Sequence, residues 1–284
     1  MVEVPVKLYL DKVLKAAREA VRPTSLLSGS VRDKALRGMA VSIAEAVESI
    51  LAANEKDVDA VGKSMTGYEN RERLRDAVAR IRMTADDVKL LADRLQHIAD
   101  LPDPLGEVLG RHEEPNGLQV SRVRVPIGII GVVSELSPLE TIDALALCLK
   151  SGNVCVFRGS PDWTHTQQVI ATGLIKAMTE AGVPRGACTI IDRPEKEAAL
   201  ELIKSGKALD AIIPRGGAGL RKVVQEQAKM PILCHDGGIT HVYIDDDVEI
   251  PLAQNIVVNS KVQHPSAPNS VDTLLVHQGI ARPL

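Results

Sequence analysis

Residues 122–160 read RVRVPIGIIGVVSELSPLETIDALALCLKSGNVCVFRGS, and this stretch decides the fold. An apolar run from Val125 to Val133 contains Pro126 and stops at the turn Ser134 to Pro138. A segment with helical spacing follows to about Lys150, and Ser151-Gly152-Asn153 breaks it. A second apolar run, Val154 to Phe157, ends on Arg158-Gly159-Ser160. Strands of a parallel sheet are buried on both faces, so they read as continuous apolar runs, and two such runs around a helix mark a βαβ unit. Ligands of open parallel sheets bind beyond the carboxyl ends of the strands. Those ends here are Ser134-Glu135 and Arg158-Gly159-Ser160, the first candidate binding residues.

The alternation continues downstream. Thr164 to Ala181 reads as a helix, Ala187 to Asp192 as a strand, Glu195 to Lys204 as a helix, and Ala208 to Pro214 as a strand. Arg215-Gly216-Gly217-Ala218-Gly219-Leu220 then opens a helix to about Lys229, and Met230 to Cys234 reads as one more strand. Repeated strand–helix alternation predicts a doubly wound α/β domain. The glycine turn lacks side chains that would keep an anion from the backbone amides, and a helix N-terminus adds its positive end. It does not match the spaced dinucleotide fingerprint. Arg158 ends a neighbouring strand, where a guanidinium could pair with a phosphate.

Upstream, Val6 to about Ile98 is helical throughout. The first helix is expected to stop at Arg22-Pro23-Thr24-Ser25, and Val31 to about Lys63 carries one long apolar stripe, with Arg32, Lys34 and Glu48 on its solvated face. Arg71 to Ile98 repeats the design, with Thr84 as an N-cap ahead of Asp86 and Asp87. Leu101-Pro102-Asp103-Pro104-Leu105-Gly106 breaks the helical region. Glu107 to Arg111 and Leu118 to Arg124 then flank Asn116-Gly117, a hairpin signal, and such an arm has edges that invite pairing with another subunit. From His235 a second α/β domain begins: a strand at Ile239 to Ile244, a helix from about Glu249 to Ser260, a polar loop to Ser270 and a strand at Val271 to His277. Too few residues follow to complete it, which predicts a truncated chain or one leaning on a partner.

The 284 residues are 45% apolar and 25% charged with net charge −3, a composition that gives no electrostatic footprint for nucleic acid. One Trp, one Phe and three Tyr leave little for base stacking. No run approaches a membrane span, and the N-terminus lacks the apolar core of a signal peptide. Four cysteines, Cys148, Cys155, Cys188 and Cys234, show no CxxC spacing, and three lie inside apolar runs. They read as free thiols in a reducing compartment, so the cytoplasm is the expected location. His235, His241 and His264 fit no helix-face pair, so no metal site is expected.

Several segments resemble one family, γ-glutamyl phosphate reductase, a branch of the aldehyde dehydrogenase superfamily: LPDPLGEVL at 101–109, PNGLQVSRVRVPIGIIGV at 115–132, LCLKSGN at 147–153, IIPRGGAGL at 212–220, HVYIDDDVEI at 241–250 and NSVDTLLVH at 269–277. The resemblance implies NADPH-dependent reduction of L-glutamyl 5-phosphate, an acyl phosphate, to glutamate 5-semialdehyde in proline biosynthesis. It also implies an aldehyde dehydrogenase-like α/β fold. Residues 1–233 would form a Rossmann-like cofactor domain, with a helical layer at 6–99 and an oligomerisation hairpin at about 107–125. Residues 234–284 would begin a catalytic domain, and the chain would be a homo-oligomer. The candidate cofactor-binding residues are Ser134, Glu135, Arg158, Gly159, Ser160, Arg215, Gly216, Gly217 and Gly219.

In that family a cysteine thiolate attacks the acyl phosphate, phosphate leaves, and hydride reduces the thioester. The family's loop reads roughly Q-x-P-S-x-C-N, whereas this chain has Gln263-His264-Pro265-Ser266-Ala267-Pro268-Asn269. Pro268 stands at the nucleophile position and supplies neither a thiol nor a backbone N–H. The family's E-S-R-P-N segment is Glu135-Leu136-Ser137-Pro138-Leu139, which lacks the arginine. The substrate region is expected at Ser137, His264 and Asn269, with no intact catalytic residue, and Cys234 is expected to be a bystander. Two functions follow: a reductase of this family, or an inactive, nucleotide-binding paralogue that regulates an active paralogue or glutamate 5-kinase.

Overall fold

The computed structural model of the chain describes residues 4–64, 71–234, 238–263, 265, 267 and 269–282. Two compact units divide the chain, Met1–Cys234 and His235–Leu284. Five helices open the first unit: α1 (Val6–Ser25), α2 (Gly29–Glu45), α3 (Val47–Ser64), α4 (Arg71–Ile81) and α5 (Ala85–Asp100). A hairpin of β1 (Val108–Glu113) and β2 (Gln119–Val123) follows. The α/β portion is β3 (Ile129–Ser134), α6 (Pro138–Lys150), β4 (Val154–Arg158), α7 (Thr164–Glu180), β5 (Cys188–Ile190), α8 (Lys196–Lys204), β6 (Ala211–Arg215) and α9 (Ala218–Gln227).

Four parallel strands lie in the order β5-β4-β3-β6. Every residue of β3 and β4 is buried, and the side chains divide by parity. Ile130, Val132, Cys155 and Phe157 join a core with α2, α5, α6 and α7, while Ile129, Val133, Val154 and Val156 join another with α1, α8 and α9. Period-two alternation therefore survives as a choice between two cores, which is why both faces are apolar in the sequence. Polar side chains fix the start of β3. Asn153 Oδ1 accepts from Ile127 N at 2.6 Å and Gly128 N at 2.9 Å, and Asp210 Oδ2 accepts from Ile129 N at 2.8 Å. Gly128 has φ +130°, a left-handed conformation that favours glycine.

Helix α1 includes Pro23 and ends at Ser25, within the stretch expected to stop it. Three local expectations are corrected. The stripe from Val31 to Lys63 is two helices, with Ala46 as the C-cap of α2. Arg32 is not on a solvated face: it is 2% exposed, donates from Nη2 to Asp103 Oδ2 at 2.6 Å and from Nη1 to the Lys150 carbonyl at 3.2 Å. The strand expected at Met230 to Cys234 is a single bridge between Ile232 and Ile212. Thr84 does cap α5: its Oγ1 accepts from Asp87 N, and Asp87 Oδ2 accepts from Thr84 N, a reciprocal capping box.

At the hairpin, Gly117 has φ +84° and donates to the Glu114 carbonyl at 2.8 Å, closing the Asn116-Gly117 turn. All of β1 is exposed, and β2 is exposed except for one half-buried position. The second unit holds β7 (His241–Ile244), α10 (Ile250–Val262) and β8 (Thr273–Val276), the two strands pairing in parallel. Among the described residues no helix is long and apolar enough to cross a membrane.

Candidate functional site

In chain order the sheet grows from β3 to β4 to β5 on one side, and β6 then returns to the other side of β3. The direction of winding reverses between β3 and β6, and in a doubly wound sheet such a switch point opens a crevice at the carboxyl ends of the two strands. One lip is the β3–α6 turn, which carries Ser134, Glu135 and Ser137. The other is the β6–α9 turn, which carries Arg215, Gly216, Gly217 and Gly219. Those two candidate groups therefore meet, 82 positions apart for Glu135 and Gly217.

The two lips bond to each other. Glu135 N donates to the Arg215 carbonyl at 2.8 Å and prolongs the β3–β6 pairing by one residue. The Glu135 side chain turns onto the glycine turn, where Oε2 accepts from Gly217 N at 3.3 Å. A Cβ on residue 216 would stand 2.6 Å from that oxygen, so a side chain there would push the carboxylate aside. Gly217 is the N-cap of α9 in an extended conformation, and Gly217 and Gly219 open to solvent with nothing near a would-be Cβ. Arg215 pairs with Glu140 in the first turn of α6, and Arg221 Nη1 donates to the Gly216 carbonyl at 3.2 Å. Ser134 is buried and its Oγ accepts from Leu136 N at 3.1 Å, which shapes the first lip. Ser137 is the half-buried N-cap of α6.

Arg158 lies differently from the phosphate-facing position expected of it. It is 5% exposed; Nη1 donates to the Gly159 carbonyl at 2.6 Å and Nη2 to the Pro194 carbonyl at 2.8 Å. Burial pulls its pKa down, partly offset by the charges of Glu135 and Glu195. Its guanidinium thus ties the end of β4 to the loop before α8. Gly159 is packed by the amide of Gln167, which a Cβ would strike. Ser160 Oγ accepts from Asp162 N at 3.3 Å, capping the short turn Pro161–Trp163 ahead of α7. Beside these residues lies a cavity of about 270 Å³, lined by Gly159, Ser160, Gln167 and Asp192 among others. Gln167 Nε2 is buried there without a partner.

The glycine turn suits a dinucleotide's phosphates in that Gly217 and Gly219 open to solvent and the Gly217 N–H already holds an anionic oxygen, that of Glu135. These phosphates do not fit Arg158, which is buried, with Nη1 and Nη2 committed to carbonyls and Nε enclosed without a partner. Sequence reasoning missed Glu140 as the partner of Arg215, because an acid in a first helical turn reads as a response to the helix dipole.

Three thiols, Cys148, Cys155 and Cys188, are buried, and Cys234, the last residue of the first unit, is exposed. A hydrogen bond with Cys148, followed by burial, pushes the Cys155 thiol up, and burial does the same for Cys188. Both stay protonated and inert. In the second unit Asn269 is exposed, while His264 and Pro268 lie outside the described residues. Asp245, Asp246 and His277 gather at the carboxyl ends of β7 and β8, all exposed.

Strand order, buried parallel core and the reversal of winding define the class as a doubly wound α/β protein with its switch point between β3 and β6. The model of the aldehyde dehydrogenase family matches residues 7–284, and the chain belongs to that family. Within it the similarity is to γ-glutamyl phosphate reductases. That of Moorella thermoacetica is 39% identical over 93% of this chain and 62% of its own length. That of Proteus mirabilis is 37% identical over 96% of this chain and 64% of its own. The crystal structure of the Thermotoga maritima γ-glutamyl phosphate reductase superposes with a TM-score of 0.84 at 30% identity, covering 96% of this chain and 64% of that one. The chain therefore spans a little under two thirds of the length of these relatives.

Proposed function

We propose that this chain binds NADPH at the β3–β6 crevice and does not itself form the acyl-enzyme of its reductase relatives. The observation that supports this most is the reversal of winding between β3 and β6 beside a glycine turn that opens α9. Gly216, Gly217 and Gly219 would hold phosphate through backbone amides, with Arg215 at the same lip and Ser134 and Glu135 opposite. Gly159 and Ser160 would line the edge at β4, and Arg158 would support that edge from within. The cofactor, when bound, supplies hydride. Residues 1–233 would then be the cofactor domain and 234–284 the opening of a catalytic domain, with Ser137, His264 and Asn269 on the substrate side.

The relatives' reaction, by their name, acts on γ-glutamyl phosphate. It requires a nucleophile that takes the acyl group as phosphate leaves and is released when hydride reduces the acyl group to the aldehyde. Pro268 has no such atom. The role that remains is a nucleotide-binding relative in the cytoplasm that acts on proline biosynthesis through an active paralogue or glutamate 5-kinase. The exposed hairpin would serve as its contact with further copies.

A second reading has one observation in its favour: Cys234 is an exposed thiol. In that reading the chain is a reductase of L-glutamyl 5-phosphate with a relocated nucleophile. Fluorescence titration with NADPH, together with phosphate-dependent oxidation of glutamate 5-semialdehyde by NADP⁺, separates the two. Binding without turnover is expected. Absence of NADPH binding overturns the first reading, and turnover that Cys234→Ser abolishes establishes the second.

A further inference from the structure

Two donors of the crevice that a phosphate would use already hold carboxylates of this chain. Gly217 N–H donates to Glu135 at 3.3 Å, and the Arg215 guanidinium pairs with Glu140. Both acids come from the opposite lip, Glu135 directly after β3 and Glu140 from the first turn of α6. The Glu140 side chain is 17% exposed and its Arg215 partner 46%, so the pair is half open to solvent. The Glu135 oxygen lies 2.6 Å from where a Cβ of residue 216 would stand, so the carboxylate lies close over the turn. A free anion reaching Gly217 must displace one carboxylate and approach a second, and like charges a few ångströms apart repel strongly near a protein surface.

We propose that Glu135 is a specificity-determining residue, an internal competitor that keeps small free anions off the Gly216–Gly217 turn. A ligand anchored elsewhere along the sheet edge, as a dinucleotide is, can displace it; phosphate or pyrophosphate alone cannot. The proposal rests on the reading of this turn as the cofactor's phosphate contact, and it adds that access is governed by the opposing lip. Glu140 acts in the same sense more weakly, since it masks a side-chain cation and leaves the amide untouched.

The test is calorimetric titration of the 284-residue chain with inorganic pyrophosphate at fixed ionic strength, with the ¹⁵N–¹H cross-peak of Gly217 followed in parallel. Glu135→Ala is expected to bind pyrophosphate about tenfold more tightly than the unsubstituted chain, with the Gly217 cross-peak displaced, and Glu140→Gln about threefold more tightly. Glu135→Gln, close in shape, retains the fold if the alanine variant does not, and is expected to fall between the two. Unchanged pyrophosphate affinity in the folded Glu135 variants overturns the proposal, as does tighter binding that leaves Gly217 unmoved. NADPH bound more weakly by Glu135→Ala also overturns it, because Glu135 would then be a cofactor contact. An unsubstituted chain that ignores NADPH, beside a Glu135→Ala variant that gains pyrophosphate at Gly217, sinks the cofactor reading and supports the competitor.

Discussion

Two parallel strand pairs in this molecule have opposite surroundings. In β3–β4 every residue is buried, between α1, α8 and α9 on one face and α2, α5, α6 and α7 on the other. In β7–β8 the pairing is also parallel, yet Tyr243, Leu274 and Leu275 are 59%, 42% and 48% exposed. Helix α10 leaves Leu252, Ile256, Val258 and Val262 exposed as well. Hydrogen bonding is the same in kind, so the pairing itself does not create the core. Covering layers do, and unit one has two of them. The first unit therefore carries stability that a substitution can remove, and the second, by itself, carries little.

The largest expected effect follows from Phe157, the one phenylalanine of the chain, fully buried in β4. Phe157→Ala is expected to destabilise the first unit by about 3–5 kcal/mol, the cost of lost transfer energy plus the cavity left behind. Urea denaturation followed by circular dichroism measures it. A loss under about 1 kcal/mol would mean that the layer of α2, α5, α6 and α7 does not cover β4 in solution.

Arg32 probes the same layers through charge. Its guanidinium is the buried half of a pair with Asp103, and it also ties α2 to the end of α6 through the Lys150 carbonyl. Arg32→Ala leaves an acceptor and a carboxylate without their donor and is expected to cost about 3 kcal/mol. Arg37→Ala is its control: Arg37 pairs with Asp100 but both side chains are about half exposed, 51% and 56%, and the expected cost is less than about 1 kcal/mol. Equal costs for the two arginines would show that the α2–α6 junction is open to water.

A smaller loss, about 1 kcal/mol, is expected for Thr84→Ala, which removes the Oγ1 that accepts from Asp87 N at the start of α5. Thr84→Ser should retain most of the cap. Thermal denaturation of the three proteins orders them, and an alanine variant as stable as the parent would remove the capping box from the account.

What the chain disclosed in advance follows the same division. Buried parallel strands were legible because both faces need apolar residues, and breakers such as Ser151-Gly152-Asn153 punctuate them. Thr84 and Asn116-Gly117 were legible because caps and turns are local chemistry. The break at Ala46 was not, since no glycine or proline marks it and the apolar stripe continues through Val47. Burial of Arg32 was hidden because Asp103 lies 71 residues away, a pairing only the assembled layers create. At the site, both lips of the crevice could be read as strand ends. That Glu135 turns inward onto Gly217 could not, because no local pattern connects residues 82 apart.

The smallest effect is the sharpest test of the contrast between the strand pairs. Leu275 sits in β8 directly across from Tyr243 of β7 and is 48% exposed. Truncating a half-exposed leucine removes only part of the transfer energy of a buried one and leaves no closed cavity, so Leu275→Ala is expected to cost less than about 1 kcal/mol. Amides of β7 and β8 should also exchange with deuterium well before those of β3 and β4, because a pair without covering layers opens locally. A Leu275→Ala loss comparable to that of Phe157→Ala, with slow exchange throughout β8, would mean that the apolar face of β7, β8 and α10 is covered in solution. The two strand pairs would then differ in what covers them, another surface for one and its own helices for the other, and not in whether they are covered.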